Sequence, residues 1–151
     1  MEIEAMFAKE LSKSAYVMAT ATSALLLCTA QAAASTSAPS VSVNPSTGLT
    51  DGQQVAVSLS GFDANEEVAV LECATVDGNG TVACNPADGV QRQPTDGSGS
   101  ASVEIAVRAS YEGYTLDGRQ WGSVNCADAV GGCSITVLRT NGEVAAPISF
   151  G

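Results

Sequence analysis

The chain has no histidine, and past residue 34 it has no lysine. Without an imidazole, the Ser-His and Cys-His pairs that activate a nucleophile cannot be built, and zinc and copper lose a principal ligand. Basic residues number 6 against 16 acids. That is too little positive charge to displace counterions from a phosphate backbone, so direct nucleic-acid binding is not expected. Aromatics are scarce too: after Ala38 there are only Phe62, Tyr111, Tyr114, Trp121 and Phe150. Past residue 34 no segment sustains helical periodicity, no apolar run is long enough to span a membrane, and the Asp/Gly-rich turns complete no calcium loop. These absences point away from an enzyme, a metalloprotein and a membrane protein.

Residues 1–34 have the organisation of a secretory leader. Lys9 and Lys13 supply the basic start, Ala15 to Cys28 is the apolar run, and Ala30 to Ala34 is small-residue territory, placing cleavage somewhere in 32–38. A lipoprotein would need a small residue just before Cys28, but Leu27 stands there, so Cys28 is expected to leave with the leader. The remaining stretch, 38–151, is long enough for one secreted domain with a modest core.

Of the 16 acids, Glu2, Glu4 and Glu10 fall in the leader, as do Lys9 and Lys13 of the 6 bases, leaving 13 acids, 4 arginines and a net charge near −9. Such acidity favours solubility. Past the leader stand Cys73, Cys84, Cys126 and Cys133, an even number in an exported chain, which implies two disulfides. Three pairings are possible. Cys73 with Cys84 and Cys126 with Cys133 would close short loops that hairpins bring together, each stabilising the fold by roughly 2.5–3 kcal/mol.

The strand pattern begins at Ser40-Val41-Ser42-Val43 and stops at the Asn44-Pro45-Ser46 turn. Gln53 to Ser60 alternates, with Val55, Val57 and Leu59 on one face. Glu67 to Cys73 is apolar on both faces, the composition of an interior strand. Glu66 and Glu67 sit at its start and read as a solvated pair. Val90 to Gln93 is a short edge strand, because Pro94 lacks the donor a central strand needs. Val103, Ile105 and Val107 mark another half-buried strand, and Asp117-Gly118 turns an aromatic hairpin. Ser134 to Leu138 is a further strand, after which Asn141-Gly142 reverses the chain toward Pro147 to Phe150. About seven short strands predict an all-β fold, an immunoglobulin-like antiparallel sandwich with two appended ribbons.

The most distinctive stretch is Leu71 to Asp88. Its cysteines flank Ala74-Thr75-Val76 and Thr81-Val82-Ala83, with Asp77-Gly78-Asn79-Gly80 as the turn, which predicts a stapled finger able to wall an apolar cleft. Several ordered motifs then carry a resemblance: Pro45-x-x-Gly48-Leu49-x-Asp51-Gly52, Cys73-Ala74, Ala83-Cys84-Asn85-Pro86-Ala87, Val107-Arg108-x-Ser110-Tyr111-x-Gly113-Tyr114, Trp121-Gly122-x-Val124-x-Cys126 and Ile148-Ser149-Phe150. In this order and spacing, from about Ala38 to Gly151, the chain resembles the neocarzinostatin family of enediyne apoproteins.

That resemblance implies a seven-stranded sandwich with ribbons closed by the Cys73–Cys84 and Cys126–Cys133 bridges. It also implies a monomeric secreted carrier holding an enediyne chromophore without a covalent bond, with DNA reached only through the released chromophore. Carried over by position, the ligand would meet Thr75, Val82 and the Cys73–Cys84 bridge, Gly89, Tyr114 and Leu116, and Ser134, Thr136 and Leu138. Where the best-known member places aromatics, this chain has Thr75, Gly89 and Leu116, which implies a wider, less aromatic cleft and a different chromophore. Residue type alone would assign Tyr111 and Trp121 to structure, and Ser134 and Thr136 equally to a strand's polar face. The competing reading is an extracellular adhesion or structural module, which a sandwich serves equally well.

Overall fold

The computed structural model describes residues 37–151, and the expected leader, 1–34, lies outside them. Its ten strands, in chain order, are β1 (Ser40–Asn44), β2 (Gln54–Ser60), β3 (Glu67–Thr75), β4 (Val82–Asn85), β5 (Gln91–Pro94), β6 (Ala101–Ala106), β7 (Ser110–Thr115), β8 (Gln120–Asn125), β9 (Val130–Arg139) and β10 (Gly142–Ile148). Every pairing between them is antiparallel. One sheet has the order β1-β2-β6; the other runs β10-β9-β3-β4-β7-β8, with β5 also on β3.

The alternation in β2 and β6 explains the smaller sheet. Val55, Val57 and Leu59 point inward and are almost fully buried, as are Val103 and Ile105, while Ala56, Ser58, Ser102 and Glu104 face water. These side chains share one core with Val68 and Val70 of β3 and Ile135 and Val137 of β9. The expected seven-stranded sandwich is thus β1, β2 and β6 packed on β5, β3, β9 and β10. The ribbons add β4, β7 and β8.

β3 is the central strand because both of its edges are occupied. β9 pairs with it along its length, from Ala69 opposite Leu138 to Thr75 opposite Val130. On the other edge β5 covers Glu67 to Val70 and β4 covers Glu72 to Thr75. A strand enclosed in this way can be apolar on both faces. The stretch predicted as a finger therefore has β9 on its second edge and is embedded in the sheet. Its turn forms as expected, with Asp77 Oδ1 accepting from the amides of Asn79 and Thr81, each at 2.9 Å.

Two other expectations are corrected. Glu66 is not solvated: it is mostly buried and accepts from Arg139 at 3.0 Å, while the Arg139 guanidinium lies 5.4 Å from the Phe62 ring centre. Trp121 is not core, being 43% exposed, whereas Tyr111 is 8% exposed. The register explains the difference. Gly113 faces Gly122 and Tyr114 faces Gln120, so Trp121 is the extra residue of a bulge.

One glycine closes the β5–β6 connection. Gly99 has φ +75°, and a Cβ there would lie 1.9 Å from the Phe62 carbonyl oxygen. Gly97, in the same turn, has open space around it. Gly99→Ala is expected to destabilise the fold by about 2 kcal/mol or more, and Gly97→Ala by less than about 0.5 kcal/mol, read as shifts in the urea midpoint. Equal midpoints for the two variants would contradict this packing.

Candidate functional site

Side chains alternate across β3, so Val68, Val70, Glu72 and Ala74 face the sandwich while Ala69, Leu71, Cys73 and Thr75 face the opposite side. Cross-strand partners share a face, and the register extends this outer surface. β9 contributes Leu138 opposite Ala69, Thr136 opposite Leu71 and Ser134 opposite Cys73. β4 contributes Cys84 opposite Cys73 and Val82 opposite Thr75. Tyr114 of β7 then lies opposite Cys84.

The resulting cleft has a volume of about 290 Å³. Leu71, Cys84 and Leu138 form its floor, Tyr114 and Leu116 one wall, and Pro86 and Val90 the other. Leu71, Cys73 and Cys84 make a small apolar cluster against which Val82 and Leu138 pack. The rim is also apolar: Val90 is 37% exposed, Tyr114 37% and Leu116 55%. Exposed apolar groups around one concavity are what a ligand site requires.

Of the residues named from sequence, Tyr114, Leu116 and Leu138 line this hollow, together with Cys84 of the bridge. Thr75, Val82, Ser134 and Thr136 continue the same face as a shelf beyond it. Thr136 is only 3% exposed and its hydroxyl is 3.3 Å from Ser134 Oγ, leaving the half-buried Ser134 as the more accessible hydroxyl. Gly89 sits in the adjoining loop, next to Val90, and does not line the hollow. Sequence reasoning missed Leu71 and Ala69, although the two-residue period from Cys73 marks both. It also missed Arg92, placed by the β5–β3 pairing, and Pro86 and Val90, which lie in the loop that joins β4 to β5.

The walls are held by two cross-links and a charged joint. Cys73 is bonded to Cys84 and Cys126 to Cys133. Gly113 lets β7 lie close to β4, since a Cβ there would fall 2.6 Å from a Val124 methyl and 3.0 Å from the Ala83 methyl. The Tyr111 hydroxyl donates to the Ala83 carbonyl at 3.2 Å, and burial pushes its pKa above the usual phenol range. In the loop carrying Pro86 and Val90, Asp88 accepts from Arg108 Nε at 3.0 Å and its terminal nitrogen at 2.9 Å, a bidentate pair. Those hydrogen bonds, with one from Asn85, hold the Asp88 pKa below the usual range.

Against the Cys126–Cys133 disulfide lies Glu72, 1% exposed. Its Oε2 accepts from the Arg108 amide at 2.9 Å, while Oε1 is 3.8 Å from the Cys126 sulfur, which carries no proton. Burial raises its pKa to about 7, opposed by the Arg108 amide and the Asn85 side chain. Glu72, Cys126 and Cys133 converge within 4.8 Å. Both sulfurs are spent in the disulfide, so the group offers no thiolate to a metal.

Residues 41–150 match the neocarzinostatin family. The chain belongs to that family. Among its relatives, the antitumor antibiotic C-1027 apoprotein of Streptomyces globisporus is 49% identical over 92 residues, 61% of this chain and 62% of that protein. The chain thus spans under two thirds of that relative's length. Apokedarcidin, from an actinomycete, is 46% identical over 114 residues, 74% of this chain and 96% of its own. The solved structure of macromomycin superposes with a TM-score of 0.69 at 31% identity, covering 76% of this chain and all of that one. The sandwich with its ribbons and two bridges therefore has the neocarzinostatin-family fold.

Glu72 gives this family member a pH signature. Between its unfolded pKa of 4.5 and its folded pKa of about 7, the unfolded chain releases the proton that the fold retains, so the free energy of unfolding falls as pH rises. Below that window both states are protonated and the difference vanishes. Glu72→Gln is expected to be more stable than the parent above pH 7, on the order of 1–3 kcal/mol, and equal to it below pH 4.5. Chemical denaturation across the range checks this; a parent more stable than the variant at pH 8 would contradict it.

Proposed function

We propose that this chain is a secreted, monomeric carrier that binds a labile enediyne chromophore without a covalent bond, shields it and releases it. The carrying observation is an apolar cleft, rimmed by Tyr114, Leu116 and Val90, that presents no lysine, no histidine and no free thiol. An enediyne is triggered by nucleophiles or by rearrangement, so a protector excludes water and thiols and adds no nucleophile of its own. Catalysis has no part in this reading.

Affinity comes mainly from apolar burial against the Cys73–Cys84 bridge, Leu71, Tyr114, Leu116 and Leu138, at about 2.5 kcal/mol per 100 Å² removed from water. The 290 Å³ hollow is at the small end for a ligand pocket. A larger chromophore extends along the shelf of Thr75, Val82 and Ser134, where the Ser134 hydroxyl sets orientation. A small side chain at Thr75 and an aliphatic one at Leu116 leave room for a differently shaped ring system. DNA is reached by the released chromophore, because the acidic protein lacks the charge to bind a duplex.

Protein secreted by a producing culture is expected to carry a near-ultraviolet chromophore that organic solvent extracts. Protein that never carries one would favour the adhesion-module reading. Tyr114→Ala is expected to weaken chromophore binding about tenfold and shorten the chromophore's half-life in parallel, as a lost aromatic wall should. Ser102→Ala, on the exposed face of β6, is expected to change neither. Unchanged affinity and half-life in Tyr114→Ala would remove this cleft as the site.

A further inference from the structure

The four arginines differ in how they are neutralised. Arg108 pairs with Asp88 and Asp51, Arg119 with Asp117, and Arg139 with Glu66 and Asp63. Among the described residues, Arg92 alone of these four makes no ion pair. It sits on β5 opposite Ala69, on the cleft face. It lines the 290 Å³ hollow and also an adjoining recess of about 250 Å³, where Leu138, Glu67 and the paired Arg139 are its neighbours. Glu67 is the one acid lining that recess, and among the described residues it makes no ion pair with Arg92.

Arg92 is exposed, and its side chain stands without an ion-pair partner at the border of a largely apolar hollow, in a chain with 16 acids and 6 basic residues. The short Ala69 side chain leaves space beneath it. The field of the whole molecule repels anions, but a charge directly at the cleft acts within a screening length. A guanidinium also suits a planar partner, since it can stack on a ring and donate two parallel hydrogen bonds to a carboxylate.

We infer that Arg92 is a specificity-determining residue of the cleft, selecting a chromophore that carries an anionic group, such as a carboxylate or phenolate, on an aromatic ring. The inference rests on the carrier reading and adds the class of ligand. It also differs from the simplest structural role for the side chain, a charge that keeps the open edge of β5 from pairing with another chain.

A matched pair of fluorescent probes separates these roles. 1-Anilinonaphthalene-8-sulfonate carries an anionic group on its ring system, and N-phenyl-1-naphthylamine is nearly the same molecule without it. In ligand-free protein, Arg92→Gln is expected to weaken the sulfonate about tenfold or more, as for loss of a charge-assisted hydrogen bond, and to leave the neutral probe unchanged. Arg92→Lys should retain part of the affinity, and salt should weaken the sulfonate on the parent but not on Arg92→Gln. Tyr114→Ala should weaken both probes. Equal effects of Arg92→Gln on the two probes, or none, would overturn the inference while leaving the carrier reading intact. Sulfonate binding that depends on Arg92 but not on Tyr114 would also overturn it, by placing the anion outside the cleft. If the parent bound neither probe, the cleft reading and this inference would fall together.

Discussion

β3 has to satisfy backbone donors and acceptors on both edges, and the walls of the cleft are positioned by how that demand is met. β9 takes one edge, while β5 and β4 divide the other. Because strand partners share a face, the division decides which side chains meet: Leu138 comes with β9, Cys84 with β4, Arg92 with β5. The loop between β4 and β5 must bridge two neighbours on one edge of the same strand, and this puts Pro86 and Val90 beside the hollow. The Cys73–Cys84 bond ties β3 to β4 and supplies part of the floor. In the chain-entropy picture it contributes roughly 3 kcal/mol, a large fraction of the net stability of a small domain.

The two sides of β3 are chemically unlike, and the contrast serves the site. The outer face is mostly apolar at the hollow and open in shape. The inner face buries Glu72 beside the Arg108 amide, and the same Arg108 reaches over to Asp88 in the cleft loop and Asp51 in the turn before β2. Removing a carboxylate from water is costly. Here it is offset by a backbone donor and by retention of the proton. The arrangement connects the smaller sheet, the cleft loop and the start of β7, so the Tyr114 wall and the Val90 wall are fixed to a common joint. Anchored walls limit the ordering cost of binding, the usual benefit of a preformed pocket.

Much of this was legible in the sequence, and the reasons are local. Alternation in Val55-Val57-Leu59 and Val103-Ile105 specifies half-buried strands, and two-sided apolarity in Val68 to Leu71 specifies an interior one. Cleft residues such as Tyr114 and Leu138 came by position from the ordered motifs, and short sequence separation suggested the disulfide partners. What was not legible depends on distant pairing. Gln91-Arg92-Gln93-Pro94 has no apolar pattern, so its seat on β3, and hence Arg92 in the cleft, cannot be read from composition. The burial of Glu72 depends on an amide 36 residues away. Glu66 looks solvated until Arg139, 73 residues on, is brought beside it. Trp121 looked like core because large aromatics usually are, and a one-residue bulge turned it outward.

The central claim, that the ligand occupies the outer face of β3, is tested most directly by comparing amide chemical shifts of chromophore-loaded protein with those of the same protein after organic extraction. The account predicts that the large changes cluster at Leu71, Cys84, Val90, Tyr114 and Leu138, fade along the shelf toward Thr75 and Ser134, and leave β1, β2 and β6 unmoved. Changes centred instead on Trp121, Val76 and Ala129, which line a separate small hollow at the β8 edge, would contradict it.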